Sequence, residues 1–177
     1  MVYVLLVDGF EEIEALTPID ILRRGGIEVR MAGVSGMQIT GAHGIKVEAD
    51  MLLEEVLPEQ MEMLILPGGP GHFRIFESAE AVQLIHAAAQ KDCYLAAICA
   101  SPSILGRLGL LKGKKATCFP GFEKDLIGAE YSPEKVVIDG KTITGKGAGA
   151  AAEFGFSLLS LLTDPSRAKT LAEEMQY

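Results

Sequence analysis

A cysteine between small residues is the strongest chemical signal in the sequence. Cys99 lies in Ala97-Ile98-Cys99-Ala100-Ser101, directly after an apolar run. Small residues on either side of a nucleophile suit the crowded strand-to-helix turn called a nucleophile elbow. Ser101 suits the N-cap and Pro102 the first position of a following helix, whose N-terminus favours a thiolate. We therefore predict that Cys99 is nucleophilic near neutral pH; the alternative is an inert buried cysteine.

A carboxyl group and a glycine pair follow two other apolar runs. Glu14 comes after the first run, and Gly68-Gly69 after the run that ends at Leu66. Ligands collect at the carboxyl ends of parallel strands, so we expect both near the thiol. A carboxyl facing a thiolate keeps its proton and can act as a proton shuttle, while glycine N–H groups can hold an oxyanion. The alternatives are a first-turn acid, as we interpret Glu11, and an ordinary tight turn.

Other patterns do not indicate a cofactor or a metal. Gly140-x4-Gly145-Lys146 lacks the serine or threonine of a phosphate-binding loop, because Gly147 stands there. The glycines from 145 to 149 do not have dinucleotide-loop spacing, and the histidines have no metal-ligand spacing. We predict no cofactor and no metal. Only His72 is placed to approach the thiol, and a solvated loop histidine is the more common case.

Charge and cysteine content exclude several classes of protein. The net charge of −8 opposes binding to a phosphate backbone, so we expect no nucleic-acid partner. Cys93, Cys99 and Cys118 form no CxxC pair, which favours a reducing, cytoplasmic location over a disulfide framework or zinc site. Glu153 interrupts the longest apolar stretch, and no basic segment opens the chain. We therefore expect neither a membrane span nor a signal peptide.

The segments that must position these residues follow an alternating pattern. Short apolar runs, typical of buried strands, alternate with longer segments in which apolar residues recur with the period of a helix. This pattern predicts one α/β domain over residues 1–177 with a mainly parallel sheet. Predicted strands cover residues 2–7, 27–32, 63–66 and 94–98. Predicted helices cover about 11–24, 79–90, 102–108, 148–162 and 165–175. Two hairpins are predicted, a small one within 37–47 and one within 136–144 that turns at Asp139-Gly140.

Four motifs follow one another in the order of a known family. They are Gly9-Phe10-Glu11-Glu12-Ile13-Glu14, Leu66-Pro67-Gly68-Gly69, Ala96-Ala97-Ile98-Cys99-Ala100 and Gly145-Lys146-Gly147-Ala148-Gly149. On these residues the chain resembles the DJ-1/ThiJ/PfpI superfamily over nearly its whole length. It is most similar to the branch of the Parkinson-disease-associated deglycase and its bacterial relatives.

The resemblance implies a flavodoxin-like three-layer sandwich, usually a homodimer. It also implies that Cys99 is the nucleophile at the elbow and Glu14 its protonated partner. Gly69 and Ala100 would supply backbone N–H groups near the reacting oxygen. Independently of the resemblance, we expect His72, Phe73 and Phe119 to line the pocket. Phe119 stands where some members have a histidine, which leaves proton transfer largely to the carboxyl group. Ala100 replaces the histidine of the protease-like branch, which disfavours peptidase activity.

Our first hypothesis is a cofactor-independent cysteine enzyme whose partner is a small aldehyde or a glycated substrate. It would convert methylglyoxal to lactate as a glyoxalase, or remove early glycation adducts as a deglycase. One alternative is a cysteine-based redox sensor with a stress-chaperone role, in which Glu14 holds a sulfinic form of Cys99. Another is a hydratase of an isocyanide or another small electrophile.

Overall fold

A seven-stranded sheet forms the centre of the computed structural model, which describes residues 1–177. The strands of the protein are β1 (Val2–Leu6), β2 (Val29–Gly33), β3 (Gln38–Thr40), β4 (Lys46–Glu48), β5 (Met51–Leu52), β6 (Met63–Leu66), β7 (Tyr94–Ile98), β8 (Lys115–Ala116), β9 (Glu130–Tyr131), β10 (Val136–Asp139) and β11 (Thr142–Gly145). The central sheet has the order β10-β11-β7-β6-β1-β2-β5. Only β10 runs antiparallel to its neighbour.

Six α-helices cover the sheet. They are α1 (Glu12–Arg24), α2 (Phe73–Glu77), α3 (Ala79–Gln90), α4 (Pro102–Arg107), α5 (Ala151–Leu162) and α6 (Pro165–Glu174). Proline occupies the first position of α4 and of α6, where its missing N–H leaves no helical hydrogen bond unmade. No helix combines the length and the apolar composition needed to cross a membrane.

The apolar residues of the strands separate two cores, one on each face of the sheet. All five residues of β1 are buried, which is expected for a parallel strand covered on both faces. Val2, Val4 and Leu6 pack with α1, α5 and α6, whereas Tyr3 and Leu5 pack with α3 and α4. The result is the predicted α/β sandwich of three layers with a mainly parallel sheet.

Both predicted hairpins are present. Residues 38–40 pair antiparallel with residues 46–48, and residues 136–139 pair with residues 142–145. The second hairpin also joins the central sheet, because β11 runs parallel to β7. The helix predicted from residue 148 begins as a 3-10 turn and becomes α-helical at Ala151. β5, β8, β9 and α2 are not predicted from the sequence, because they are too short to show a hydrophobic period.

A buried carboxylate ties the β3–β4 hairpin to the start of α1. Glu12 is 4% exposed, and its Oε1 accepts the backbone N–H of His43 at 2.7 Å and that of Ile45 at 3.4 Å. Its Oε2 lies 2.7 Å from Nδ1 of the His43 ring. These contacts fix the first turn of α1 against the hairpin, and the same turn carries Glu14.

The central strand β6 allows a test of the two-sided core. Ile65 is fully buried, whereas Ile138 on the edge strand β10 is 48% exposed. We expect Ile65→Ala to lower the free energy of unfolding by about 2–5 kcal/mol through lost burial and a residual cavity. Ile138→Ala, the matched control, should cost less than about 1 kcal/mol. Urea denaturation followed by circular dichroism measures both, and equal losses would contradict the assignment of Ile65 to the core.

Candidate active site

Four neighbouring strands bring the candidate residues to one edge of the sheet. The carboxyl ends of β11, β7, β6 and β1 lie side by side in that order. Cys99 follows β7 directly, Gly68 follows β6, and Glu14 lies in the first turn of α1 after β1. The parallel sheet thus gathers residues that are far apart in the sequence, as predicted from the positions of the motifs.

Cys99 lies in a strained turn between β7 and α4. Its φ is +65°, a left-handed conformation that costs a non-glycine residue on the order of 1–3 kcal/mol. Two backbone hydrogen bonds hold it there. Its N–H donates to the carbonyl of Gly145 at 2.9 Å, and its carbonyl accepts the N–H of Phe119 at 2.8 Å. This sharp strand-to-helix turn is the local geometry expected of a nucleophile elbow.

Glu14 is placed by the N-terminal cap of α1. The side chain of Glu11 caps the helix by accepting the backbone N–H of Glu14 at 2.8 Å. The Glu14 side chain is 1% exposed, and its Oε2 accepts the N–H of Gly68 at 3.1 Å. The backbone N–H of Ala148 also favours the charged form of this carboxyl group and lowers its pKa. Glu11 therefore has the structural role that we expected, and through this hydrogen bond it helps to hold Glu14 in position.

The Glu14 carboxyl and the Cys99 thiol meet over Gly68. A Cβ atom at residue 68 would lie 2.5 Å from Cβ of Cys99 and 2.5 Å from Oε2 of Glu14. No side chain larger than hydrogen fits between the two groups. The three thiols differ in their exposure to solvent. Cys93 and Cys118 are buried, whereas Cys99 is partly exposed. Cys99 is thus the thiol that a soluble molecule can reach.

Burial controls the acidity of both groups. It raises the pKa of Glu14 to about 7, with the charge of Glu11 adding to the rise and the N–H groups of Gly68 and Ala148 opposing it. The pKa of Cys99 is raised to about 12, and burial is the largest cause. The negative charge of Glu14 and its hydrogen bond to the thiol raise this pKa further. Above about pH 7 the pair therefore holds one proton and one negative charge.

Burial and the facing carboxyl group raise the pKa of Cys99, which is opposite in direction to the predicted low-pKa thiolate. The N–H groups of Gly69 and Ala100 do lower the pKa of Cys99, as the sequence analysis assumed. Burial and the facing carboxyl group outweigh them, because both disfavour a charge on sulfur. The raised pKa of Glu14 agrees with a carboxyl group that binds a proton near neutral pH. A thiolate forms in this pair most directly when the thiol proton passes to the Glu14 carboxylate.

Two further expectations need correction. The N–H of Gly68 is not free for an oxyanion, because it donates to the Glu14 carboxyl group. The hydroxyl of Ser101 does not cap α4; it donates to the carbonyl of Pro67 at 2.5 Å and so ties the turn after β7 to the turn after β6. The backbone N–H groups of Gly69 and Ala100 favour a negative charge on the sulfur of Cys99, and their role at an oxyanion stays a prediction.

Two of the predicted pocket residues occupy different surroundings. His72 is partly buried, with Nδ1 3.0 Å from the carbonyl of Gly69 and its ring edge-on to that of Phe122 at 5.3 Å. Burial lowers the pKa of this histidine. Phe119 is 47% exposed and lines an open pocket of about 370 Å³ together with Pro120, Lys135, Lys146 and residues 147–150. The sequence analysis did not single out these two lysines or the N–H of Ala148, although the motif Gly145-Lys146-Gly147-Ala148-Gly149 contains two of the three.

One cluster of possible metal ligands occurs outside the pair. Glu11, Glu12 and His43 bring one ligand atom each to within 4.8 Å of one another. Both oxygens of Glu12 already accept hydrogen bonds or contacts from the β3–β4 hairpin, and Glu11 caps α1. The cluster therefore has a structural use that needs no ion.

The known proteins that are similar to this chain in sequence all point to the same family. A model of the DJ-1/PfpI family matches residues 1–161. Protein DJ-1 homolog B of Arabidopsis thaliana is 35% identical over 89% of this chain, which spans only 37% of that protein's length. A deglycase of Pyrococcus abyssi is 34% identical, with 84% of this chain and 90% of that protein covered. A glutathione-independent glyoxalase of Caenorhabditis elegans is 30% identical, with 93% and 89% covered.

Solved structures agree with the sequence relatives. A crystal structure of a mutant DJ-1 superfamily protein from Salmonella typhimurium superposes with a TM-score of 0.94 at 31% identity, covering 99% of this chain and 97% of that one. Oxidized Toxoplasma gondii DJ-1 gives the same TM-score and coverage at 33% identity. The chain therefore belongs to the DJ-1/PfpI family. The homodimer and the cytoplasmic location stay predictions.

The raised pKa of Glu14 predicts how stability depends on pH. The folded protein binds this proton more tightly than the unfolded chain, whose carboxyl group has the ordinary value of 4.5. The resulting stabilisation is complete below about pH 4.5 and is lost as the pH rises through about 7. Relative to Glu14→Gln, which cannot ionise, the wild type should lose up to about 3 kcal/mol between about pH 4.5 and pH 8.

Urea denaturation at several pH values measures this difference. Glu80→Gln is the matched control, because Glu80 is an exposed first-turn acid of α3. The difference between wild type and this control should stay constant over the same range. A Glu14→Gln difference that does not change with pH would contradict the assignment.

The coupled protons also predict the reactivity of Cys99. Iodoacetamide alkylates thiolates, so its rate at Cys99 should rise as the pH passes about 7, where the pair loses its first proton. In Glu14→Gln this step should disappear, because no carboxylate remains to accept the thiol proton. Mass spectrometry of the Cys99 peptide separates this reaction from that of the buried thiols. Identical profiles in the two proteins would show that Glu14 does not control the thiol.

Proposed function

We propose that this protein is a cofactor-independent glyoxalase or deglycase that uses Cys99 as nucleophile and Glu14 as proton carrier. The observation that carries the proposal is the Glu14 carboxyl group buried against the Cys99 thiol, with a raised pKa of about 7. A group that titrates near neutral pH can both accept and return a proton during turnover. The deglycases and the glyoxalase among the relatives support the same activity.

The first step is addition of the Cys99 sulfur to the aldehyde carbon of methylglyoxal. The thiol proton passes to the Glu14 carboxylate, the S–C bond forms, and the aldehyde oxygen gains the electron pair of the C=O bond. The N–H groups of Gly69 and Ala100, which favour negative charge at Cys99, would stabilise the charge on this oxygen. Glu14 then returns the proton to this oxygen, which gives a neutral hemithioacetal and restores the carboxylate.

The second step moves a hydrogen between neighbouring carbons. The Glu14 carboxylate removes the proton from the former aldehyde carbon and passes it to the neighbouring ketone oxygen, which gives an enediol. The hydroxyl proton on the first carbon then moves through Glu14 to the adjacent carbon. The first carbon is thereby oxidised to a thioester and the second is reduced to an alcohol. Water then breaks the S–C bond and releases lactate with the thiol restored, so methylglyoxal and water balance the products without an external oxidant.

The same hemithioacetal chemistry extends to early glycation adducts. A hemiaminal formed from an amine and a dicarbonyl has a carbon at the same oxidation level, and its amine is the leaving group. The 47% exposure of Phe119 and the open pocket beside it leave room for a substrate attached to a larger molecule. The substrate range of this site therefore includes free dicarbonyls and adducts carried on amines.

The dyad predicts the behaviour of two matched variants. Wild type should convert many equivalents of methylglyoxal to lactate, whereas Cys99→Ser should lose at least about 100-fold in kcat because the alkoxide is much harder to form. Glu14→Gln should lose a similar factor, since it keeps the shape of the carboxyl group without its proton transfer. Cys118→Ser, a buried thiol outside the pair, is the control and should stay near the wild-type rate. Lactate formation measured at matched protein concentration decides the result.

The redox-sensor alternative gives a different result in the same experiment. A sensor changes state once per equivalent of peroxide, whereas an enzyme turns over many equivalents of aldehyde. Lactate in excess over protein that depends on Cys99 and Glu14 supports the enzyme. No turnover by the fully reduced wild type, together with stoichiometric oxidation of Cys99, would replace the proposed function by redox sensing.

A further inference from the structure

The open pocket lined by Phe119 and residues 147–150 is joined directly to the Cys99–Glu14 pair. The backbone N–H of Phe119 donates to the carbonyl of Cys99 at 2.8 Å. A Cβ atom at Gly147, in the pocket lining, would lie 3.8 Å from Oε1 of Glu14. The pocket wall and the reacting groups are therefore held in one arrangement, and the pocket can receive the non-reacting end of a molecule bound at Cys99.

The charge of this pocket is opposite to that of the chain. Lys135 and Lys146 are the charged residues in its lining, whereas the whole protein has a net charge of −8. Neither lysine forms an ion pair with a carboxylate. The ammonium group of Lys146 has one partner, the carbonyl of Pro133 at 3.2 Å. Both lysines thus keep hydrogen-bond donors for a ligand.

The backbones of the two lysines are held next to each other. The backbone N–H of Lys146 donates to the carbonyl of Lys135 at 2.8 Å, at the point where β10 and β11 approach the site. Lys146 is half-buried, so its charge is less screened than that of a free surface lysine. Two neighbouring cations, with no acid in the pocket lining, favour an anionic ligand.

We propose that this pocket binds an anionic group, a carboxylate or a phosphate, at the end of the substrate remote from the aldehyde. The preferred substrates are then anionic 2-oxoaldehydes, and this inference rests on the proposed function. The reaction is R–CO–CHO + H2O → R–CHOH–COO⁻ + H⁺. The aldehyde carbon is oxidised, the adjacent carbon is reduced, and the anionic group on R is unchanged.

Two substrate pairs test the role of charge and distinguish the two anions. Hydroxypyruvaldehyde phosphate is compared with hydroxypyruvaldehyde, and 4,5-dioxopentanoate is compared with its methyl ester. The anionic member of at least one pair should have a kcat/KM about tenfold higher, as expected for one charge-assisted hydrogen bond. The gain should appear mainly in KM, because the lysines contact a part of the substrate that does not change in the reaction.

Three lysine variants locate the effect. Lys146→Gln and Lys135→Gln should each reduce the ratio of anionic to neutral kcat/KM by about threefold or more. Lys91→Gln changes the net charge equally but lies between α3 and β7, at the opposite edge of the sheet from the site. It should leave the ratio unchanged. An equal decrease in all three variants would mean a general effect of net charge and would overturn the subsite.

Inorganic phosphate gives a readout that does not depend on turnover. Titration followed by ¹H–¹⁵N NMR should shift the amide signals of residues 147–150 in the wild type and much less in Lys146→Gln. The absence of a lysine-dependent shift, or equal turnover of anionic and neutral substrates, would overturn the subsite and leave the proposed function standing. A lysine-dependent shift without turnover of any 2-oxoaldehyde would instead overturn the proposed function and, with it, the substrate class.

Discussion

A carboxyl group buried against a thiol is the constraint on which the rest of the site depends. Burial disfavours a charge on either Glu14 or Cys99, so the pair is stable only with hydrogen-bond donors around it. The fold provides these donors from the backbone of three segments, after β6, after β7 and before α5. Their N–H groups belong to Gly68, Gly69, Ala100 and Ala148. Because these segments meet only at the edge of the assembled sheet, no fragment of the chain can form the pair alone.

Close backbone approach explains the small residues at this edge. Gly68 separates the two reacting groups, and a Cβ at Gly147 would lie 3.2 Å from the ring of Phe119. Gly69 has a φ of +95°, which a residue with a side chain rarely adopts. The bond from Ser101 to the carbonyl of Pro67 then locks two of the turns together. Rigid turns let a small protein hold a strained cysteine in one orientation.

The sequence predicts the parts of this structure that depend on residue type and on hydrophobic period. The buried strands, the two hairpins and the meeting of Glu14 with Cys99 follow from apolar runs and from the rule that parallel strands end at one edge. The partner of each polar group could not be predicted in the same way. Gly68 and Ser101 donate to groups 54 and 34 residues away, respectively. The acidity of Cys99 depends on burial by distant segments, which outweighs the local helix N-terminus.

The hydrogen bond from the N–H of Phe119 to the carbonyl of Cys99 holds the position of the nucleophile independently of the side chain at residue 119. It is made by backbone atoms, so it does not depend on which side chain residue 119 carries. A histidine there, as in some members of the superfamily, would add a titratable group without moving the nucleophile. A substitution at residue 119 alone can therefore replace an apolar pocket wall with a second proton donor. Related enzymes can differ at this residue while the position of the nucleophile is unchanged.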